Sequence, residues 1–172
     1  MVKPYEKKIA KNFYFEEYFV SDEYPELIQK AYDKVKEDKN IIQKITHHAH
    51  NIAQPLRDHV CKTVEILSGY RDPFVNQAIG GSKTSDHMEG LAGDMFIPSK
   101  AASMDDMEEL FRWCVKNLNY RQIIWYPQSN SKFIHGSINW PLENKPFKRQ
   151  ALVQWDGKYI DADEFFRKGY LD

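Results

Sequence analysis

Apolar positions Leu27, Ile28, Ala31, Tyr32 and Val35 recur at helical spacing within residues 24–36, with Lys34, Lys36 and Lys39 near the end, where cations suit a helix C-terminus. The pattern predicts a helix there. A second is predicted from about Asn51, with Pro55 tolerated in its first turn and Leu56, Val60 and Val64 following at four-residue spacing. It runs into Ile66-Leu67-Ser68-Gly69, which reads as a short strand and a turn. The clearest helix is 104–118: Ser103 is placed to cap it, acidic residues fill its first turn, and Met107, Leu110, Phe111, Cys114, Val115 and Leu118 form one apolar face. Strands are predicted at 91–97, 121–126, 133–138 and 151–155, the last joined through Asp156-Gly157 to 158–160 as a hairpin. Helices mostly come first and short strands later, so the expected class is α+β, a small antiparallel sheet flanked by helices.

Composition narrows the picture. The 172 residues are 42% hydrophobic and 14% aromatic, enough for a packed core, and the length suits one domain over 1–172. Lys plus Arg number 24 against 25 Asp plus Glu, and residues 1–40 already mix both signs, so neither nucleic acid nor an acidic membrane surface is an expected partner. The longest apolar runs, such as Ile123-Ile124-Trp125-Tyr126, are far short of the roughly 20 residues that span a bilayer, so no membrane insertion is expected. The basic start, Met1 to Lys8, leads into no apolar stretch of signal-peptide type; synthesis in a cytoplasm without a signal peptide is the expectation. Cys61 and Cys114 are too few for a disulfide framework, and both fall at apolar helix positions where buried thiols are expected.

The densest group of chemically active residues is Ser85-Asp86-His87-Met88-Glu89-Gly90-Leu91-Ala92-Gly93-Asp94. Along the strand that ends it, Ala92, Asp94 and Phe96 share a face, while Gly90, Ala92 and Gly93 leave room for a ligand or another backbone. His135, within Phe133-Ile134-His135-Gly136-Ser137, can supply a third ligand: two imidazoles, a carboxylate and one open position make a ligand set known for catalytic zinc. Taken alone, a pair spaced like His87 and Asp94 is more often a surface salt bridge or a satisfied polar loop. Other groups have plainer readings. His47-His48-x-His50 is expected to be solvated, Trp125, Tyr126, Phe133 and Trp140 to be mainly core with a sugar or peptide platform as the alternative, and Lys145, Lys148 and Arg149 to be loop surface.

In order and spacing, several blocks resemble the zinc D-Ala-D-Ala carboxypeptidases and phage peptidoglycan peptidases of the Hedgehog/DD-peptidase fold. They are Asn12-Phe13, Phe15-Glu16-Glu17-Tyr18, Ile66 through Asn76, Gly80-Gly81, Ser85-x-His87-x-x-Gly90-x-Ala92-x-Asp94, Gln122-Ile123-Ile124, Phe133 through Ser137, and Lys148 through Leu152. The resemblance covers about residues 12–155. It implies Zn2+ on His87, Asp94 and His135, substrate contact by Arg71, and a loop-shaping or hydrogen-bonding role for Ser85. For Arg71, structural pairing with Asp72 or Asp94 is the alternative. The implied partner is a peptidoglycan stem peptide.

One departure stands out. The family places a Glu or Asp just upstream of the last histidine to move protons, whereas no Asp or Glu occurs here between Leu110 and Leu142. Tyr126 lies nearest that position, and a phenol donates hydrogen bonds far better than it accepts protons at neutral pH. Glu89 and Glu143 could approach from elsewhere. The expectation is therefore a zinc-dependent stem-peptide carboxypeptidase or endopeptidase with its base unassigned. The alternative is a silent family member acting as a binding or structural module, among virion proteins if the chain is phage-encoded.

Overall fold

The computed structural model describes residues 6–98, 103–142 and 149–171. After a buried 3₁₀ turn at Phe15–Tyr18 come helices α1 (Pro25–Val35), α2 (Lys39–His48) and α3 (Gln54–Val60), then strand β1 (Glu65–Ser68) and the short helix α4 (Pro73–Ala78). A 3₁₀ turn at Asp86–Glu89 leads into β2 (Ala92–Phe96), followed by α5 (Met104–Asn117), β3 (Gln122–Trp125), β4 (Ile134–Ser137), β5 (Gln150–Trp155), β6 (Lys158–Asp161) and α6 (Ala162–Arg167). The strands form one sheet in the order β1-β2-β4-β3-β5-β6.

All neighbours are antiparallel except β3 and β5. That exception to the expected antiparallel sheet follows from the connection. Ser137 at the end of β4 and Gln150 at the start of β5 both lie beside Gln122, so the chain steps over β3, and β5 runs antiparallel to β4 but parallel to β3. Asp156 and Gly157, with φ of 48° and 74°, then close the predicted β5–β6 hairpin, as two left-handed turn residues should.

The predicted helices at 24–36 and 104–118 are present within a residue or two. Ser103 caps α5 reciprocally with Asp106. The helix expected from Asn51 instead begins twelve residues earlier. Residues 39–60 wind almost continuously, and Ala49–Ala53 form a wide π turn directly before Pro55. Proline lacks an N–H and crowds the preceding turn, so a local widening is where such a helix can absorb it. Cys114 is buried as expected. Cys61 is exposed, because it sits past the end of α3 in a left-handed conformation (φ 50°) rather than on the helix's apolar side.

Strand alternation gives the sheet two unlike faces. Met95, Ile134, Ile123, Trp125 and Val153 point to the helical side and are almost fully buried, with Phe111 of α5 stacked on Trp125 at 5.8 Å. The opposite face carries Asp94, His135, Ile124 and Leu152 side by side in register.

The α2–α3 segment can approach the sheet closely only because two strand residues lack side chains. A Cβ on Gly93 would lie 2.9 Å from His48 Cε1, and one on Gly136 would lie 2.8 Å from Ile52 Cγ2. Gly93 therefore makes its room for a helix rather than for a ligand. Gly136→Ala is expected to cost about 1–3 kcal/mol of stability by overpacking this contact. Urea unfolding checks it; an unchanged midpoint contradicts the close-docking account.

Candidate metal centre

Three side chains from separate segments meet on the open face of the sheet. Asp94 and His135 are direct cross-strand partners on β2 and β4, and His87 comes from the 3₁₀ turn that feeds β2. Asp94 Oδ1 is 2.8 Å from His135 Nδ1 and 3.3 Å from His87 Nε2, and the two imidazole nitrogens are 3.1 Å apart. All three residues are buried, and their ligand-type atoms could hold a metal ion. Four ligands set tetrahedrally at about 2.0–2.1 Å from zinc are separated by about 3.3–3.4 Å, so this triangle is a slightly contracted face of that tetrahedron. The donor set and its spacing fit the ion.

Surrounding groups fix the orientation of each member. His87 donates its Nδ1–H to the Gly69 carbonyl at 2.7 Å, which leaves the Nε2 lone pair aimed at the other two residues. Arg71 donates through Nη2 to Asp94 Oδ2 at 2.5 Å and through Nε to Ser68 at 2.7 Å. Oδ1 is thereby left facing the imidazoles. Of the two expected partners of Arg71, the structure selects Asp94; Asp72 instead caps α4 through the Val75 amide. Ser85 caps the 3₁₀ turn by accepting from the His87 amide at 3.4 Å, so it shapes the loop.

Electrostatics keep Asp94 and His87 in metal-binding forms. Burial opposes the charge on Asp94, but the imidazoles of His87 and His135 outweigh it and hold the carboxyl well below the ordinary range. Burial lowers the His87 pKa against the pull of Asp94, favouring the neutral ring. Metal ligation requires those two states.

The triad lines a groove of about 680 Å³. Arg71, Ser85 and Tyr126 share its lining, joined by Asp86, Gln122 and Gln150, which had no role assigned from sequence, and by Arg121 and Tyr159, which were not singled out there. Arg121 approaches Asp86 at 3.4 Å, Gln122 and Gln150 pair through their amides at 2.7 Å, and the Tyr126 and Tyr159 hydroxyls are 3.3 Å apart. Burial, reinforced by the Tyr159 hydrogen bond, pushes the Tyr126 pKa strongly upward, so this phenol stays protonated.

Glu89 is tied to Lys44 at 2.6 Å and does not line the groove; Glu143, Lys145 and Lys148 lie outside the described residues. Arg149 is exposed as expected, over the Tyr120 ring. The aromatic set divides: Trp125 is core, Trp140 packs edge-on against His47, and Tyr126 and Phe133 stack at 4.4 Å on the groove wall.

The histidine cluster corrects the expectation of a solvated stretch. Only His50 is exposed. His48 is 0% exposed beneath the metal strands, accepting from the Tyr18 hydroxyl at Nδ1 (2.8 Å) and donating from Nε2 to the Gly136 carbonyl (3.0 Å). Gly93, adjacent to Asp94, was the available sequence signal for this side chain. Its neutral ring joins the first buried turn of the chain to the strand that carries His135.

Burial pushes the His48 pKa down to about 3. Below about pH 6.5 an unfolded chain takes up a proton that folded His48 refuses, so stability falls with pH. This residue alone is expected to cost about 2 kcal/mol between pH 7 and pH 5 in urea unfolding of the metal-free protein. Nitrogen-15 NMR should show His48 still neutral with its proton on Nε2 at pH 5; titration near 6.5 would contradict the buried-bridge geometry.

Residues 18–135 match the family model described as Peptidase M15, a span that runs from Tyr18 to His135 and contains the entire triad. No curated protein matches the chain. Among the described residues no helix is long and apolar enough to cross a membrane. A match over more than half its length, on an α+β scaffold that presents a buried His-Asp-His group in a groove, places this chain in the M15 family of zinc peptidases.

Proposed function

We propose that the protein is a zinc-dependent peptidase acting on the stem peptide of peptidoglycan, as a carboxypeptidase or an endopeptidase. The observation that carries this reading is the convergence of His87 Nε2, Asp94 Oδ1 and His135 Nδ1 in a groove, within an M15 chain. Zinc held there supplies a Lewis acid that polarises the scissile carbonyl and acidifies water. Arg71 keeps Asp94 turned toward the ion and presents its remaining guanidinium edge to substrate oxygen. Gly69 keeps His87 in the ligating tautomer. Tyr126, kept protonated, is placed to donate to an oxygen that gains negative charge as the peptide bond is attacked. The protein's partner in this reading is the peptidoglycan stem peptide, and its place, if it is phage-encoded, the host cytoplasm or the virion among other virion proteins.

A second reading keeps the fold and the metal without turnover: a binding or structural module, in a phage particle or elsewhere. It is favoured by the proton economy of the groove. Among the described residues the lining carboxylates are Asp94 and Asp86, the first committed to the triad and the second facing Arg121. A protonated Tyr126 does not replace a carboxylate base.

Incubation of zinc-loaded protein with purified peptidoglycan, read by mass spectrometry of released fragments, tests the two readings. The enzyme reading predicts cleavage products, their loss in Asp94→Ala together with zinc, and about a 10²-fold lower kcat in Tyr126→Phe with zinc retained. Full zinc occupancy with intact peptidoglycan after prolonged incubation overturns hydrolysis in favour of the silent module.

A further inference from the structure

Helix α2 touches each of the three elements that carry a triad residue. His48 lies against Gly93 on β2 and donates to the Gly136 carbonyl on β4, and Ile45 lies against Gly90 at the end of the 3₁₀ turn that holds His87. Lys44 reaches Glu89 of that same turn, with Nζ 2.6 Å from Oε2. The contacts of His48 and Ile45 are packing and a neutral hydrogen bond. That of Lys44 is an ion pair, on a helix face whose other buried residues include Ile41 and Ile45.

Lys44 is only 5% exposed. Lysines are almost never buried to this degree without a partner, because taking an ammonium out of water costs more than an ion pair commonly returns. A methionine of similar length would fill the same place without that cost. Fold stability therefore does not account for the charge. What a charge-assisted hydrogen bond supplies, and an apolar contact does not, is direction.

That direction acts beside a hinge. Asp86–Glu89 is a single 3₁₀ turn, held by the Met88 amide on the Ser85 carbonyl at 3.1 Å and the Gly90 amide on the His87 carbonyl at 3.2 Å, and such turns have poorer hydrogen-bond geometry than an α-helix. Gly90 follows in the left-handed region (φ 73°), where glycine is conformationally permissive. Glu89 stands immediately before it and anchors the turn to α2. The Gly69 carbonyl orients the His87 ring from the β1 side, while the Lys44–Glu89 pair holds the backbone from which that ring projects.

We propose that Lys44 is a positioning residue for the metal centre: through Glu89 it fixes the 3₁₀ turn so that His87 Nε2 meets Asp94 and His135 at ligating distance. The inference rests on the metal-binding part of the peptidase reading and is independent of whether a peptide bond is cut. The test compares wild type, Lys44→Met, Glu89→Ala and the double variant in three measurements. Zinc affinity is read by competition with a chelator, stability by urea unfolding of the metal-free protein, and ligand geometry by the visible absorption of the cobalt-substituted form.

Lys44→Met is expected to weaken zinc binding about tenfold, as loss of a group that orients a ligand does, and to alter the cobalt spectrum. Its urea midpoint should hold or rise, since the Glu89 side chain, 45% exposed, is hydrated once released. Glu89→Ala should weaken zinc by a similar factor, and the double variant no more than either single change, because both remove one interaction. Zinc affinity within about twofold of wild type in Lys44→Met, single losses that multiply in the double variant, or a loss seen only where the urea midpoint also falls overturns the inference, while zinc binding by the wild type leaves the metal centre standing. Wild-type protein that holds no zinc overturns the metal centre itself, and the inference with it.

Discussion

The pairing of Asp94 with His135 across β2 and β4 is the constraint on which the rest of the site depends. Side chains alternate along a strand, so a slip of one residue would send one partner to the helical face and leave the other alone. The register is held from the packed side. Met95, Ile134, Ile123 and Trp125 are buried against helices, and Gly93 and Gly136 fit only where His48 and Ile52 press against the backbone. Hydrophobic packing on one face thereby fixes polar chemistry on the other.

That arrangement places opposed charges where solvent is largely excluded, which is tolerable only with partners in every direction. Asp94 has Arg71 on Oδ2 and the imidazoles on Oδ1; His87 has the Gly69 carbonyl behind it. His48 extends the same logic underneath, linking the Tyr18 hydroxyl to the Gly136 carbonyl through one neutral ring. The site is thus pre-organised by bonds from an early 3₁₀ turn, the β1 turn and the central sheet, segments far apart in the chain. An ion entering it meets ligand atoms already at near-tetrahedral spacing, so little rearrangement of the side chains opposes binding.

Much of this was legible in the residues. Helical stripes and alternating strands located α1, α5 and the sheet, and the resemblance of the blocks around His87, Asp94 and His135 to zinc peptidases, more than their spacing, pointed to one centre. What remained hidden arose from contacts distant in sequence. The helix 39–48 was missed because its apolar face is interrupted by Lys44 and His48, both buried and each satisfied by a group far along the chain, Glu89 and Gly136. Tyr159 carried no local signal either: on a hairpin strand a tyrosine is ordinary, and only the strand order β3-β5-β6 brings it to the groove beside Tyr126. Pro55, read as a helix start, lies within a longer helix whose widened turn could not be inferred from periodicity.

The central claim is convergence of three side chains on one divalent ion, and the coordination shell of stoichiometrically loaded protein tests it most directly. In a crystal structure of the zinc-loaded protein, His87 Nε2, Asp94 Oδ1 and His135 Nδ1 should each lie about 2.0–2.1 Å from a single ion, with a fourth position open to solvent. Zinc ordered instead on exposed groups such as His50 or Cys61, or a zinc-loaded form in which the three side chains do not share an ion, would contradict the account.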